Sequence, residues 1–333
     1  MITLVTGASG HIGANLVRSL LAAGRRLRVA VHTDDRALAG LPVERIACDI
    51  TERADVLAAL EGVGVVYHCA ARIAITKRDE RGMMQTNLEG TRHLVEAALE
   101  RGVRRFVHFS SIHAIACPRP DTPVDENGPL VDRRGGMLYD SSKAGAERIV
   151  LDAVRRGLDA VIVNPTAVIG PYDFKPSLMG EVILRLLSGR LPGLVPGGFN
   201  WVDARDVAAG AMLAEAKGRR GERYILGGAW ESVAGLSRLV GEVSGVRTIR
   251  CVLPLWLAYV GLPFLAVGAA LTGQRRLYTR DSLQTLSSYR SISTRKAESE
   301  LGYTHRSLEE TLRDTVAWFG QSGDRRAGGE VRA

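Results

Sequence analysis

The stretch ITLVTGASGHIGANLVRSLLAAG, residues 2–24, decides the fold. Its first five residues are apolar or β-branched and read as a buried strand, while Ile12, Leu16 and Leu20 recur at helical spacing. Between the two lie Gly7, Gly10 and Gly13, three positions apart. Gly7 permits the tight turn out of the strand, Gly10 lets backbone approach a pyrophosphate, and Gly13 lets the helix pack closely on the sheet, with the phosphates at the helix N-terminus. With Ser9, His11 and Ile12 from the same turn, these glycines predict a dinucleotide-binding loop. The spacing is GxxGxxG and not the more familiar GxGxxG. What raises it above an ordinary strand–helix turn is its place directly after a strand and at the head of an amphipathic helix.

Further along, short β-branched runs recur at 27–33, 44–49, 64–70, 104–111, 160–166 and 223–228, and most are separated by segments of helical spacing such as Leu94, Val95 and Ala98. Strands alternating with helices imply right-handed βαβ crossovers, and so a doubly wound parallel α/β sheet of the Rossmann kind. The alternation loosens after Gly170. Residues 171–200 are rich in Pro and Gly and 230–290 carry helical runs, while 201–228 read as a return to the sheet. The expected division is a dinucleotide-binding domain (1–170 and 201–228), a smaller interleaved substrate domain (171–200 and 229–320) and a frayed tail (321–333).

Composition excludes several function classes. Hydrophobic residues make up 46% of the 333 and charged residues 24%, which argues against disorder. The net charge is +8, but the Arg pairs, from Arg25-Arg26 to Arg275-Arg276, are scattered, so nucleic-acid binding is not expected. Cys48, Cys69, Cys117 and Cys251 have no metal-ligand or redox spacing, which predicts no metal, no disulfide and a reducing compartment. The opening MITLVTG carries no basic stretch before its strand, so no signal peptide is read there and a cytoplasmic location is expected.

The second strand should end in the residue that reads the adenosine ribose, an acid for NAD or a basic group for NADP. It ends VAVHTDDR, residues 29–36, with His32 at the tip and Asp34, Asp35 and Arg36 beyond. Either NADP or NAD is open, with NADP slightly favoured because no acid stands at the strand end itself. In MLYDSSKAGAERIV, residues 137–150, Tyr139 and Lys143 stand four apart and project from one helix face. Isolated pairs of this kind are usually solvated neighbours. Behind a glycine loop, with a strand-end serine at 111, the pair reads as catalytic, since a phenol with an ordinary pKa of about 10 needs a neighbouring cation to exchange protons near neutrality.

Together TGASGHIG (6–13), CDI (48–50), HCAA (68–71), TNLEGTRHLVEAA (86–98), HFSS (108–111), YDSSK (139–143), NPTAVIGP (164–171) and WVDARDVA (201–208) resemble the extended short-chain dehydrogenase/reductase family across nearly the whole chain. The branches it looks most like are dihydroflavonol-reductase-like, 3β-hydroxysteroid-dehydrogenase-like and hopanoid-associated epimerase-like. The resemblance implies Tyr139 as general acid/base, Lys143 on the ribose hydroxyls lowering the phenol's pKa, and Ser111 on the substrate oxygen, with Ser110 as the fallback. It implies Asp49 and Ile50 beside the adenine, Ala70 and Ala71 along the nicotinamide ribose, Pro165 and Val168 near the nicotinamide, and Asn87 as a supporting residue. A homodimer is also implied. His113 is a tempting acid/base, but a loop histidine beside a pocket is more often structural.

The family's dehydratases carry an Asp-Glu pair after the catalytic hydroxyl, where this chain has Ile112-His113, so dehydration is disfavoured. Residues 251–273 form a 23-residue run without charge, interrupted by Pro254 and Pro263. It reads as a pocket-lining helix or as a segment lying on a membrane surface. An apolar wall suits a hydrophobic alcohol or ketone, sterol- or flavonoid-like, better than a nucleotide sugar, although an epimerase working through a transient keto intermediate is the alternative. A non-enzymatic dinucleotide sensor would be expected to lose Tyr139 or Lys143, and this chain keeps both. The loop 118–136, rich in Pro, Asp and Gly, is expected to exclude water as a mobile cover.

Overall fold

The computed structural model describes residues 1–73, 79–117, 123–132, 137–191, 193–272, 277–286 and 288–321. The chain begins β1 (Ile2–Thr6), α1 (His11–Ala22), β2 (Arg26–Val31), β3 (Glu44–Ala47), α2 (Arg53–Ala59) and β4 (Val63–His68). It continues through α3 (Glu80–Met84), α4 (Thr91–Glu100), β5 (Arg105–Phe109), α5 (Leu138–Arg155) and β6 (Ala160–Pro165). The remaining elements are β7 (Ala167–Ile169), α6 (Leu178–Leu187), β8 (Gly198–Asp203), α7 (Ala204–Lys217), β9 (Arg223–Leu226), β10 (Ala229–Ser232), α8 (Val233–Ser244), α9 (Leu255–Thr272), α10 (Arg280–Leu286) and α11 (Leu308–Gln321).

Seven parallel strands form one sheet in the order β3-β2-β1-β4-β5-β6-β9. The chain leaves β1 toward β2 on one side and returns to β4 on the other, so the crevice at the C-terminal ends of β1 and β4 is the place where such a sheet binds ligands. Alternate residues of each strand feed two cores. Val5, Val29, Val107 and Val163 pack under α1 and α7 with Leu16, Leu20, Val207 and Ala211. Leu4, Val66, Phe106 and Ile162 pack under α2, α4 and α5 with Val56, Leu94, Val95 and Val150. Burial on both faces is why these strands read as nearly continuous apolar runs.

A second sheet has the order β10-β8-β7, with β7 and β8 parallel and β10 antiparallel. Ile169, Trp201, Ile183, Leu236 and Leu312 make its core with α6, α8 and α11. The domain division is finer than expected. Of residues 201–228 only β9 enters the large sheet; β8 pairs with β7 and β10 instead, and β7, expected in the first domain, belongs to the second sheet. Thr166 alone separates β6 of the large sheet from β7 of the second. Later residues also return to the large core, where Ala297, Leu301 and Tyr303 pack beside Tyr224 and Leu226.

The run 251–273 is mostly α9, which continues through Pro263 and packs Leu255, Ala258 and Leu262 against Val195, Leu283 and Leu286. Among the described residues no helix is long and apolar enough to cross a membrane. The proposed cover loop lies partly at 118–122 and 133–136, outside the described residues. Its middle is anchored: Val124 bridges Ile292, Leu130 bridges Ile115, and Glu126 Oε1 accepts from the Ile225 amide at 2.8 Å.

Candidate active site

Gly7 leaves β1 at φ +67°, and a Cβ there would stand 2.5 Å from the Ala70 amide nitrogen. A Cβ on Gly13 would stand 2.1 Å from the Gly7 carbonyl oxygen. Both positions accept glycine alone. Gly10 is exposed and is the N-cap of α1, with no side-chain cap and no acid in the first turn. The first amides of α1 are therefore open to an anion in a backbone cradle that fits a dinucleotide's diphosphate. Ser9 and Ile12 lie half-buried in this turn.

His11 differs from expectation. Its Nε2 lies 3.2 Å from the Gly170 carbonyl and 3.1 Å from that of Pro171, and its Nδ1 lies 3.9 Å from Asp173. The imidazole is turned toward the second domain, which leaves only the His11 backbone to the phosphates.

At the adenosine end, the exposed His32 Nε2 stands 3.3 Å from Asp49 Oδ2, beyond the last residue of β2. Asp49 Oδ1 accepts from the Thr51 amide at 2.9 Å and its hydroxyl at 2.8 Å, which holds the carboxyl below its ordinary value. The Asp34 carboxylate is engaged by Arg36 at 2.8 Å and is held down at about 2. The Ile50 side chain is buried beside Val56 and Val95, where a Cβ on Gly90 would stand 2.7 Å from its Cδ1. Ala70 is half-buried and Ala71 exposed along the loop after β4. Pro165 is buried at the end of β6 and Val168 half-buried on β7.

Asn87 ties this loop to the catalytic helix. Its side chain accepts from the Arg72 amide at 2.8 Å and donates to the Arg72 carbonyl and to Ser142 Oγ, both at 3.0 Å. Ser142 in turn donates to the Tyr139 carbonyl at 2.7 Å. Asn87 projects from a π-turn at Gln85–Gly90 that opens α4, the kind of irregularity often found at functional sites.

The two serines after β5 point apart, as successive extended residues must. Ser110 Oγ donates inward to Glu147 Oε2 at 2.6 Å, whereas Ser111 hydrogen-bonds the Tyr139 phenol and accepts from the His113 amide at 3.2 Å. Asn164 on β6 donates to the Ser111 carbonyl at 3.0 Å and to Glu147 at 3.1 Å, fixing the serine from below. Burial pushes the Tyr139 pKa up to about 12, only partly offset by the Ser111 hydrogen bond. The expected depression of the phenol by Lys143 is therefore not found. The buried Lys143 Nζ instead donates to the Phe109 carbonyl at 2.6 Å, and burial pushes the lysine down to about 8.

Three buried groups at the site were given no role by the motifs, although two of them, His68 and His108, open quoted motifs. Glu147, fully buried, sits one turn past Lys143 on the same face of α5, and burial raises its carboxyl despite Ser110, Arg223 and Asn164. The i, i+4 spacing from Lys143 would have found it. His68 and His108, paired on β4 and β5, stack at 5.4 Å in the same buried layer, and both are held neutral by burial. His68 bridges the Thr6 and Thr91 hydroxyls at 2.8 and 3.0 Å. His113 is also held neutral, down at about 4, with its ring edge-on to Tyr139 at 6.2 Å and to Tyr289 at 5.1 Å. The four cysteines are free, and no metal-ligating cluster occurs among the described residues.

A glycine turn and a Tyr/Lys helix facing each other across the switch point of this sheet define the short-chain dehydrogenase/reductase class, in its extended form with a second sheet. Residues 3–227 match the NAD dependent epimerase/dehydratase family, and the chain belongs to it. It is 39% identical to sterol demethylase protein B of Methylococcus capsulatus over 97% of this chain and 99% of that protein. To a putative dihydroflavonol 4-reductase of Synechocystis it is 34% identical, covering 96% and 94%. The crystal structure of gox2253 superposes with a TM-score of 0.84 at 37% identity, over 97% of this chain and 98% of that one. The chain is thus an NAD(P)-dependent enzyme of the extended short-chain type.

Proposed function

We propose that the protein interconverts a ketone and a secondary alcohol on a hydrophobic, polycyclic small molecule. The observation that carries this reading is the protonated Tyr139 phenol, hydrogen-bonded to Ser111 and met edge-on by the His113 ring, which itself packs on Tyr289. When bound, a reduced nicotinamide supplies the hydride taken up by the carbonyl carbon. Tyr139 gives its proton to the carbonyl oxygen, and Ser111 donates to that oxygen and polarises it. The Lys143 ammonium, anchored on the Phe109 carbonyl, turns its remaining protons to the ribose hydroxyls. Ala70, Ala71, Pro165 and Val168 line the nicotinamide half, and Asp49 and His32 the adenosine. NADP(H) is the preferred dinucleotide on this reading, since His32 stands at the tip of β2 and Arg36 engages Asp34, the first acid after it in the chain.

An apolar substrate is supported by the neighbourhood of Met137, the residue before α5. It contacts Thr285 on α10, whose Leu283 and Leu286 pack on α9. It is also supported by the likeness along the full chain to a sterol demethylase protein and to a putative dihydroflavonol reductase. Titrating the protein with NADPH and NADH, then assaying sterol, flavonoid and nucleotide-sugar substrates, tests the proposal. Tighter NADPH binding with turnover of an apolar ketone is expected. Turnover of a nucleotide sugar alone would replace this reading with the epimerase one.

The proton inventory sets a pH profile. Tyr139 keeps its proton far above neutrality, so the group that fails first is Lys143, whose charge is lost as pH rises through about 8. For carbonyl reduction, kcat/KM is expected to be flat from about pH 6 and to fall above about pH 8. A profile still level at about pH 9.5 would show that the ammonium keeps its charge or is not needed.

A further inference from the structure

We infer that α9 docks the enzyme on the surface of an anionic lipid bilayer. This goes beyond the reading of the active site and does not depend on it. Of the ten large apolar side chains exposed among the described residues, six lie between Val252 and Phe264: Val252, Trp256, Leu257, Tyr259, Val260 and Phe264. Trp256, Val260 and Phe264, four residues apart, are 66%, 58% and 76% exposed. At 3.6 residues per turn the exposed side chains of the helix, Pro263 among them, fall within an arc of about 160°. Leu255, Ala258 and Leu262 lie on the opposite arc and meet Val195, Leu283 and Leu286.

A helix that is apolar all round is ordinarily covered all round. Over its described side chains, Leu255 to Phe264, this one is covered on half its circumference, and the open half holds no charge. In an interfacial helix one half faces the acyl boundary and the other is polar. Here the body of the protein stands in for the polar half. Trp256 and Tyr259 are the aromatic types that settle at the headgroup level. At about 27 Å, with Pro263 inside it, α9 lies along a bilayer and does not span one.

The charge beside this face selects the kind of surface. Arg190, Arg247 and Arg250 are exposed, and none has a carboxylate partner among the described residues. Arg247 and Arg250 line a cavity of about 450 Å³ with Thr248 and the Arg238–Glu242 pair, so its net charge is positive. Arg250 stands five residues before α9, next to the stretch Cys251–Leu253 that pairs with Leu194 four residues after Arg190. Cations beside an unpartnered apolar face suit an anionic headgroup layer. They oppose pairing with a second copy, which would bring the same arginines together.

The test is co-sedimentation of the full chain with vesicles of phosphatidylcholine alone and of phosphatidylcholine with phosphatidylglycerol. Binding to the anionic vesicles, with Trp256 fluorescence quenched by brominated acyl chains, is expected. The triple variant Trp256→Asp/Val260→Asp/Phe264→Asp should lose at least about tenfold in vesicle binding while its dinucleotide titration is unchanged. Arg247→Gln/Arg250→Gln should lose about twentyfold on anionic vesicles only. No binding by the parent chain, or equal binding to both vesicle types, overturns the proposal. So does a dimer in vesicle-free solution that the triple variant dissolves.

Discussion

Tyr139→Phe lowers turnover of the ketone substrate by about 10³-fold or more and leaves the dinucleotide dissociation constant within a factor of about three. The ring stays and only the hydroxyl goes, so packing beside His113 and the position of α5 are preserved. What is lost is the one acid that Ser111 bonds and that keeps its proton at neutral pH. No neighbour can replace it. Burial keeps His113 neutral down to about pH 4, and the Lys143 ammonium is turned to the Phe109 carbonyl. Single-turnover kinetics with saturating NADPH measure the step directly. A variant retaining more than about a tenth of the parent rate would transfer the acid's role to another group and would remove Tyr139 from the chemistry.

Gly13→Ala and Gly10→Ala separate folding from binding within three residues. A Cβ on Gly13 meets the Gly7 carbonyl oxygen at 2.1 Å and the Ala8 Cα at 2.8 Å, both backbone, so either β1 or α1 must move. Overpacking that cannot be relieved by a side chain is expected to cost about 3 kcal/mol or more, read as a lower urea midpoint, and dinucleotide binding goes with it. A Cβ on Gly10 meets only the Gly7 oxygen at 3.3 Å and otherwise faces solvent. That variant should keep its urea midpoint and lose dinucleotide affinity by about tenfold or more, because the methyl stands where phosphate approaches. Equal urea midpoints for the two variants would mean that the helix yields more easily than the distances imply.

Much of this was legible in the sequence, and the reason is burial. The strands of the large sheet were found within a residue or two, because in all but the exposed edge strand β3 they are buried and read as apolar runs. The second sheet was not found. Its strands AVI, GFNWVD and AWES are short, and two of them mix aromatic, acidic and small residues, so no period of two stands out. At the site, motifs gave Ser111, Tyr139 and Lys143 their numbers. They gave no role to Glu147, nor to Asn164, His68 and His108, which open quoted motifs but whose buried partners follow from pairing between distant strands and α5. The tautomer and direction of a side chain were also hidden. Nothing in TGASGHIG says that the imidazole of His11 turns away from the phosphates, since its partners are 159 and 160 residues distant.

That turn of His11 has a mechanical meaning. In the first turns of α1, His11 Nε2 holds the carbonyls of Gly170 and Pro171, and Asn15 Nδ2 reaches the same Pro171 carbonyl at 2.9 Å. The helix that begins at the glycine turn is thus tied to the segment that follows β7, a few residues past Thr166. The glycine turn and the second sheet therefore share three hydrogen bonds to two carbonyls, and a change in the one cannot leave the anchoring of the other untouched.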